Sequence, residues 1–207
     1  ADRAATLVYL ADQGCITLHV WLSRVDRPGR PDRLIFDLDP PDGGFGAVRD
    51  AARALREAIE QVGLTPFIMT TGSRGLHVVV PLDRSAGFDE TRSFAMDLAD
   101  LVAAREPEAL TTEHRKVKRR GRLFLDVMRN AYGQTGVPPY AVRARKGAPV
   151  ATPLDWDDLS DADLTPDRYT VENIFRRLSQ KDDPWKGIGR HAASLEQPSV
   201  RLRKLIE

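Results

Sequence analysis

Arg33-Leu-Ile-Phe-Asp-Leu-Asp39 is a short, β-rich apolar run that ends in acid, the reading of a central strand running into a site. On a strand, residues two apart point to the same face, so the carboxylates of Asp37 and Asp39 project together. Two like charges that close raise each other's pKa unless a cation sits between them. A hard divalent cation, Mn²⁺ or Mg²⁺, is the natural partner, because it takes oxygen ligands and uses one or two carboxylates. The bland alternative is a strand end running into a polar turn, as Pro40-Pro41-Asp42-Gly43 suggests.

Outward from this strand the pattern alternates between elements. Residues 3–12 carry a short apolar stripe at helical spacing, and 16–22 alternate as a strand. Gly43, Gly44 and Gly46 punctuate a loop, after which Val48, Ala51, Leu55, Ile59 and Val62 predict a helix over 47–62. Strands are expected at 66–71 and 76–82, joined by the tight turn Gly72-Ser73-Arg74-Gly75. A second helix is expected over 89–104, strands at 123–128 and 140–144, and one short helix near 171–178 in a proline-bearing tail. Strands and helices mix without strict βαβ alternation. The fold class is therefore α/β or α+β, with a mixed central sheet flanked by helices.

Composition sets outer limits. The 207 residues are 42% hydrophobic and 29% charged, enough to bury a core and not the balance of a disordered tail. Thirty-one basic against thirty acidic residues give a net charge of +1, which excludes a wholly electrostatic nucleic-acid binder and confines basic function to a local patch. One cysteine, Cys15, excludes a disulfide framework and a cysteine zinc site. No apolar run approaches the roughly 18 residues of a membrane span, and the first residues lack a signal-peptide pattern. These features lead us to expect no membrane and a cytoplasmic, nucleoid-associated location.

Three further segments carry chemistry. Asp126, in Arg122-Leu-Phe-Leu-Asp126, is an acid among apolar strand neighbours, costly unless a metal or an arginine relieves it. A third carboxylate would complete a two-metal site of the kind that serves in-line phosphoryl attack. In Thr70-Thr-Gly-Ser-Arg-Gly-Leu-His77, two glycines free backbone N–H groups for an anion, the hydroxyls of Thr71 and Ser73 add donors, and Arg74 supplies a cationic fork. His77 is placed to donate to a phosphate oxygen. The turn lacks the Lys-Ser/Thr ending of a P-loop, and it is also compatible with an ordinary hairpin. The run 114–122 packs six Lys and Arg into nine residues and reads as a phosphate-backbone contact that weakens with salt, through Arg115, Lys116, Lys118, Arg119 and Arg120. Arg143 and Arg145 are expected to point from one strand face towards the same anion. His19, His191 and Trp21 read as packing or surface residues.

Taken together, Leu34-Ile-Phe-Asp-Leu-Asp-Pro40, Thr71-Gly-Ser-Arg-Gly-Leu-His77 and Phe124-Leu-Asp-Val-Met-Arg-Asn130, followed by Pro139-Tyr-Ala-Val-Arg143, resemble the polymerase domain of bacterial ATP-dependent DNA ligase D, of the archaeo-eukaryotic primase superfamily. The likeness runs from about Thr6 through Leu159. It implies a primase-polymerase-like core in which Asp37, Asp39 and Asp126 form a metal-binding catalytic triad for Mn²⁺ or Mg²⁺. It further implies that Thr71, Ser73, Arg74, Gly75, His77 and Arg143 hold the triphosphate of an incoming nucleotide. The implied activity is nucleotide addition, ribonucleotides favoured, at broken or gapped DNA ends in non-homologous end joining. Implied partners are DNA, NTP or dNTP, ligase and nuclease domains of the same polypeptide, and the end-binding protein Ku.

Relatives carry a longer stretch before the first acidic motif than the 36 residues here, and in them it supplies 5′-phosphate contacts and an aromatic that stacks on the incoming base. We therefore expect 1–207 to be one catalytic domain without the N-terminal part of the family domain, as a fragment, a shortened relative or a chain whose remainder lies on another, with 150–207 packing on the core as an extension. Two other readings use the same residues. One is a DNA- and nucleotide-binding module without turnover. The other is a two-metal nuclease, against which the phosphate turn argues, since a nuclease has no triphosphate to cradle.

Overall fold

The computed structural model describes residues 3–40 and 44–207. The expected turn at 41–43 lies outside them. Seven residues, Arg33–Asp39, form β2, the third strand of a six-stranded sheet ordered β5-β6-β2-β4-β3-β8. Its neighbours are β4 (Leu76–Pro81) and β6 (Leu123–Asp126), both antiparallel to it. Beyond them lie β3 (Phe67–Thr70), β8 (Pro153–Leu154) and β5 (Leu110–Thr111). Only β5 runs parallel to its neighbour, so the sheet is mixed.

Strand alternation gives β2 two different faces. Leu34, Phe36 and Leu38, all fully buried, enter the main core with Leu76, Val78 and Val80 of β4. That core is closed by α2 (Phe45–Gln61) and α3 (Phe88–Arg105). On α2 the buried set Val48, Ala51, Ala52, Leu55, Ala58 and Ile59 follows the 3.6-residue period that the sequence displays. Asp89 and Glu90 in the first turn of α3 complement the positive end of its dipole. The other face of β2 presents Arg33, Ile35, Asp37 and Asp39. There Ile35 joins Leu22, Met69, Val79 and Trp185 in a second, smaller core.

Asn130 ties these parts together. β6 ends at Asp126, yet the fully buried Asn130 amide continues its ladder, accepting from Ile35 N–H at 2.8 Å and donating to Ile35 and Val127 carbonyls at 2.8 Å each. Asn130→Ala leaves those backbone groups of Ile35 buried without partners. It is expected to lower unfolding free energy by about 2 kcal/mol, read as a shifted urea midpoint with an unchanged slope.

Several expectations change in the folded chain. The strand expected over 16–22 is only β1 (Val20–Trp21), itself exposed and paired with β7 (Thr135–Gly136) in a separate two-stranded sheet. Residues 140–144 form no strand; Tyr140 takes φ +63, and only an isolated bridge joins Val142 to Val150. Gly46 lies inside α2 rather than in a loop. The first helix, α1 (Ala4–Asp12), buries none of its residues. The short helix of the tail is α4 (Ile174–Gln180), and a further helix, α5 (Glu196–Ile206), packs against α3 through the buried Leu202. No helix among the described residues is long and apolar enough to cross a membrane.

Candidate active site

The pairing register brings the acids together. Asp37 on β2 lies opposite Asp126 on β6 and, on its other side, opposite His77 on β4. With Asp39 two residues on, all three carboxylates line one cavity of about 250 Å³, alongside Arg74, Lys116, Arg119 and Phe124. Asp37 is the most buried of them, at 8% exposure. Its Oδ2 accepts from Arg129 Nε at 2.7 Å, and its Oδ1 lies 3.5 Å from His77 Nε2. Burial alone would raise its carboxyl; its contacts with His77 and Arg129 outweigh that and hold it well below the usual carboxylate range. Asp39 is paired with Arg74 at 2.9 Å. Asp126 Oδ1 accepts the Met128 N–H at 2.8 Å.

Charge balance at two of the acids is thus supplied by arginines, and among the described residues no three His, Cys, Asp or Glu side chains gather as a ready-made ligand cluster. The donor set itself suits a hard divalent cation: carboxylate oxygens, aligned by strand register, facing one cavity. Arg129 and Arg74 each engage one oxygen of their carboxylate, Asp37 Oδ2 and Asp39 Oδ2 respectively.

The turn between β3 and β4 abuts this cavity. Gly72 takes φ +61, and a Cβ there would meet Arg143 Cγ at 2.9 Å and Ala151 N at 3.0 Å. The Thr71 hydroxyl is turned inward, closing the turn against Gly75 N–H (3.3 Å) and Gly75 O (3.2 Å), while Ser73 and Arg74 occupy the outer part. Arg143 Nη1 reaches across to Thr71 O at 2.8 Å. His77 is buried, and its Nδ1 has no partner among the described residues.

The basic run splits into two roles. Arg119 donates to the carbonyls of Glu113 and His114, and Arg122 to those of Arg119, Pro107 and Lys118, so both build their own loop. Arg119 also covers the Phe124 ring at 3.9 Å, with His114 edge-on at 5.4 Å. Arg115, Lys116, Lys118 and Arg120 extend into solvent.

Three residues stand here that the sequence reading did not place here. Phe124 precedes Asp126 by two and so shares its strand face, a signal that strand alternation does contain. Arg129 follows β6 closely but is brought to Asp37 by the turn at 128–130. His19, read as a packing or surface residue, is exposed beside the site: burial first, then the fields of Arg143 and Arg129, lower its pKa. Arg74, His77, Arg129 and Arg143, with Lys116, Arg119 and Arg122 on the same cavity, thus face the carboxylates and make an anion-attracting rim.

A mixed sheet with acids on its central strands, facing a glycine turn and an arginine rim, is the arrangement that the resemblance to primase-polymerases leads one to expect. The chain belongs to the LigD primase-polymerase domain family, whose pattern it matches over residues 1–185. It is 31% identical over 204 residues to the multifunctional non-homologous end joining protein LigD of Pseudomonas aeruginosa, covering 97% of this chain and 24% of that protein. It is 30% identical over 186 residues to the bifunctional non-homologous end joining protein LigD of Bacillus subtilis, covering 89% and 30%. Among solved structures it resembles the polymerase domain from Mycobacterium tuberculosis ligase D in complex with DNA, with a TM-score of 0.84 and 29% identity over 93% of this chain and 69% of that one. The chain spans about a quarter of the length of the curated relatives it matches.

Proposed function

We propose that this chain is a divalent-metal-dependent nucleotidyltransferase that adds nucleotides, ribonucleotides favoured, to DNA 3′ ends during double-strand-break repair by end joining. The observation that carries this reading is the meeting of Asp37, Asp39 and Asp126 in one cavity with Arg74 and the basic loop 115–120. The three carboxylates would hold Mn²⁺ or Mg²⁺, which when bound acidifies the primer hydroxyl and neutralises phosphate charge. Arg74, His77 and Arg143, with Ser73 and the backbone of the turn from Thr71 to Gly75, bind and orient the triphosphate. The primer 3′-hydroxyl oxygen attacks the α-phosphorus in line, and pyrophosphate leaves. Arg115, Lys116, Lys118 and Arg120 grip the DNA backbone, and Arg119 holds their loop beside Phe124.

Residues 1–207 act in this reading as one catalytic domain, 150–207 bracing the core. The ligase and nuclease domains named by the resemblance, together with Ku, supply the rest of the repair machinery at the nucleoid. The test is primer extension on a gapped duplex bearing a 5′-phosphate, with Mn²⁺ or Mg²⁺ and either ribo- or deoxyribonucleotides. Extension is expected, faster with ribonucleotides, and lost in the Asp37→Ala/Asp39→Ala double variant. Nucleotide and DNA binding without extension would make the chain a binding module, and strand shortening would make it a nuclease.

A further inference from the structure

A second cavity, of about 380 Å³, opens on the same sheet face as the carboxylates but at the opposite end of β2. Arg33 borders it and Asp39 borders the other; at strand rise these are about 20 Å apart, and the two cavities share no lining residue. Its floor is apolar and flat-sided, formed by Val79, Pro81, Pro139, Trp185 and Ile188. Trp185 is fixed there by its Nε1 donating to Ile68 O at 3.0 Å.

The rim carries charges of both signs. Three guanidinium groups, Arg24, Arg33 and Arg84, face two carboxylates that are already committed. Asp32 is shared between Arg24 (2.8 Å) and Arg33 (2.7 Å), and Asp83 Oδ1 accepts both the N–H and the hydroxyl of Ser85. Arg84 is the unusual member. It holds φ +68, a left-handed conformation that side chains other than glycine rarely adopt. Its side chain is mostly buried; Nη2 lies 2.8 Å from Asp26, and Nε is buried with no acceptor among the described residues. Arg84 thus borders the cavity with hydrogen-bonding capacity unspent, which an anion reached by a turn of the side chain would use.

We propose that this cavity binds a phosphate monoester carried on a flat ring, of the size of a nucleoside monophosphate, with the ring on the proline–tryptophan floor and the phosphate on Arg84 and Arg33. The size falls in the range of small-molecule sites, and the pairing of an apolar floor with a few convergent polar groups is what such sites use. This site is separate from the proposed nucleotidyl transfer and needs no metal.

The test is calorimetric titration of the full chain with AMP in the absence of divalent cation. AMP is expected to bind with Kd below about 1 mM, and adenosine and inorganic phosphate each at least tenfold more weakly. Arg84→Gly is expected to cost at least tenfold in AMP affinity while the melting temperature holds or rises, because glycine accepts that φ. Ile188→Trp, which fills the floor, is expected to abolish binding. Phenyl phosphate equal to AMP keeps the ring-plus-phosphate chemistry and assigns it to aryl phosphates; weaker binding assigns it to nucleotides. AMP binding no better than adenosine or phosphate, or unchanged in Arg84→Gly, overturns the proposal. So does loss of AMP binding in Arg143→Ala, which would put the ligand in the carboxylate cavity.

Discussion

Primer extension by an Asp126→Asn variant is expected to fall by about three orders of magnitude, equivalent to about 4 kcal/mol of transition-state stabilisation. Stability should hardly change. Asp126 is half-buried and enters no ion pair among the described residues, and the amide oxygen of asparagine still accepts from Met128 N–H, the bond seen at 2.8 Å. What the amide cannot do is supply a charged oxygen to a cation in a cavity already rimmed by Arg74, Arg119 and Lys116. Asp37→Asn is a poorer probe, since it also removes the anion that Arg129 and His77 face. The measurement is the single-turnover extension rate of Asp126→Asn beside its thermal melt. A variant that extends at the rate of the parent protein would remove Asp126 from the catalytic set.

Gly75→Ala should be the most destabilising single methyl group in the turn. A Cβ at Gly75 would overlap the carbonyl oxygen of Leu38 and lie 2.8 Å from Asp39 Oδ1. Both neighbours are fixed: Leu38 is fully buried on β2, and Asp39 is held by Arg74. Backbone cannot swing aside as a flexible side chain can, so β2 and the turn must separate. A loss of about 3 kcal/mol is expected, or a melting temperature lower by roughly 6–12 °C for a chain of this size. Because Asp39 is one of the two contacts, extension should fall even well below the melting transition. Calorimetry and extension on the same preparation check both. A melt within about 1 °C of the parent protein would show that the turn has room that the structure denies it.

How much of this was legible in the sequence depended on whether a residue's environment was local. The acids of β2 were readable because strand alternation puts residues 37 and 39 on one face whatever lies across the sheet. α2 and α3 were readable because their buried stripes repeat at helical spacing within one segment. The short pairs were not: β1, β5, β7 and β8 are two residues each, and nothing in two residues specifies a partner. The segment 140–144 alternates like a strand, but Tyr140 at positive φ and the turn at Gly147-Ala148 break its ladder. α5 is short in apolar residues and marked by Pro198, which its first turn tolerates since the N–H there is unbonded in any helix.

In the site, the type of each acid was visible and its partner was not. Arg129 reaches Asp37 across 92 positions. The roles of Arg119 and Arg122 were masked for the opposite reason: a dense basic run reads as a solvent-facing patch, whereas these two guanidinium groups bond the carbonyls of their own loop.

The two faces of β2 have a consequence for how this domain can change. Leu34, Phe36 and Leu38 alternate with Ile35, Asp37 and Asp39 along a single stretch of backbone, so the core and the acids are written in the same reading frame. Slipping the strand by one residue would drive Asp37 among the helices and expose Leu38 to the cavity. A lineage could therefore vary exposed side chains of the rim or the basic loop without moving this strand. It could not shift the spacing of the acids without unmaking the fold, and any descendant that still folds on this strand inherits the geometry of its chemistry intact.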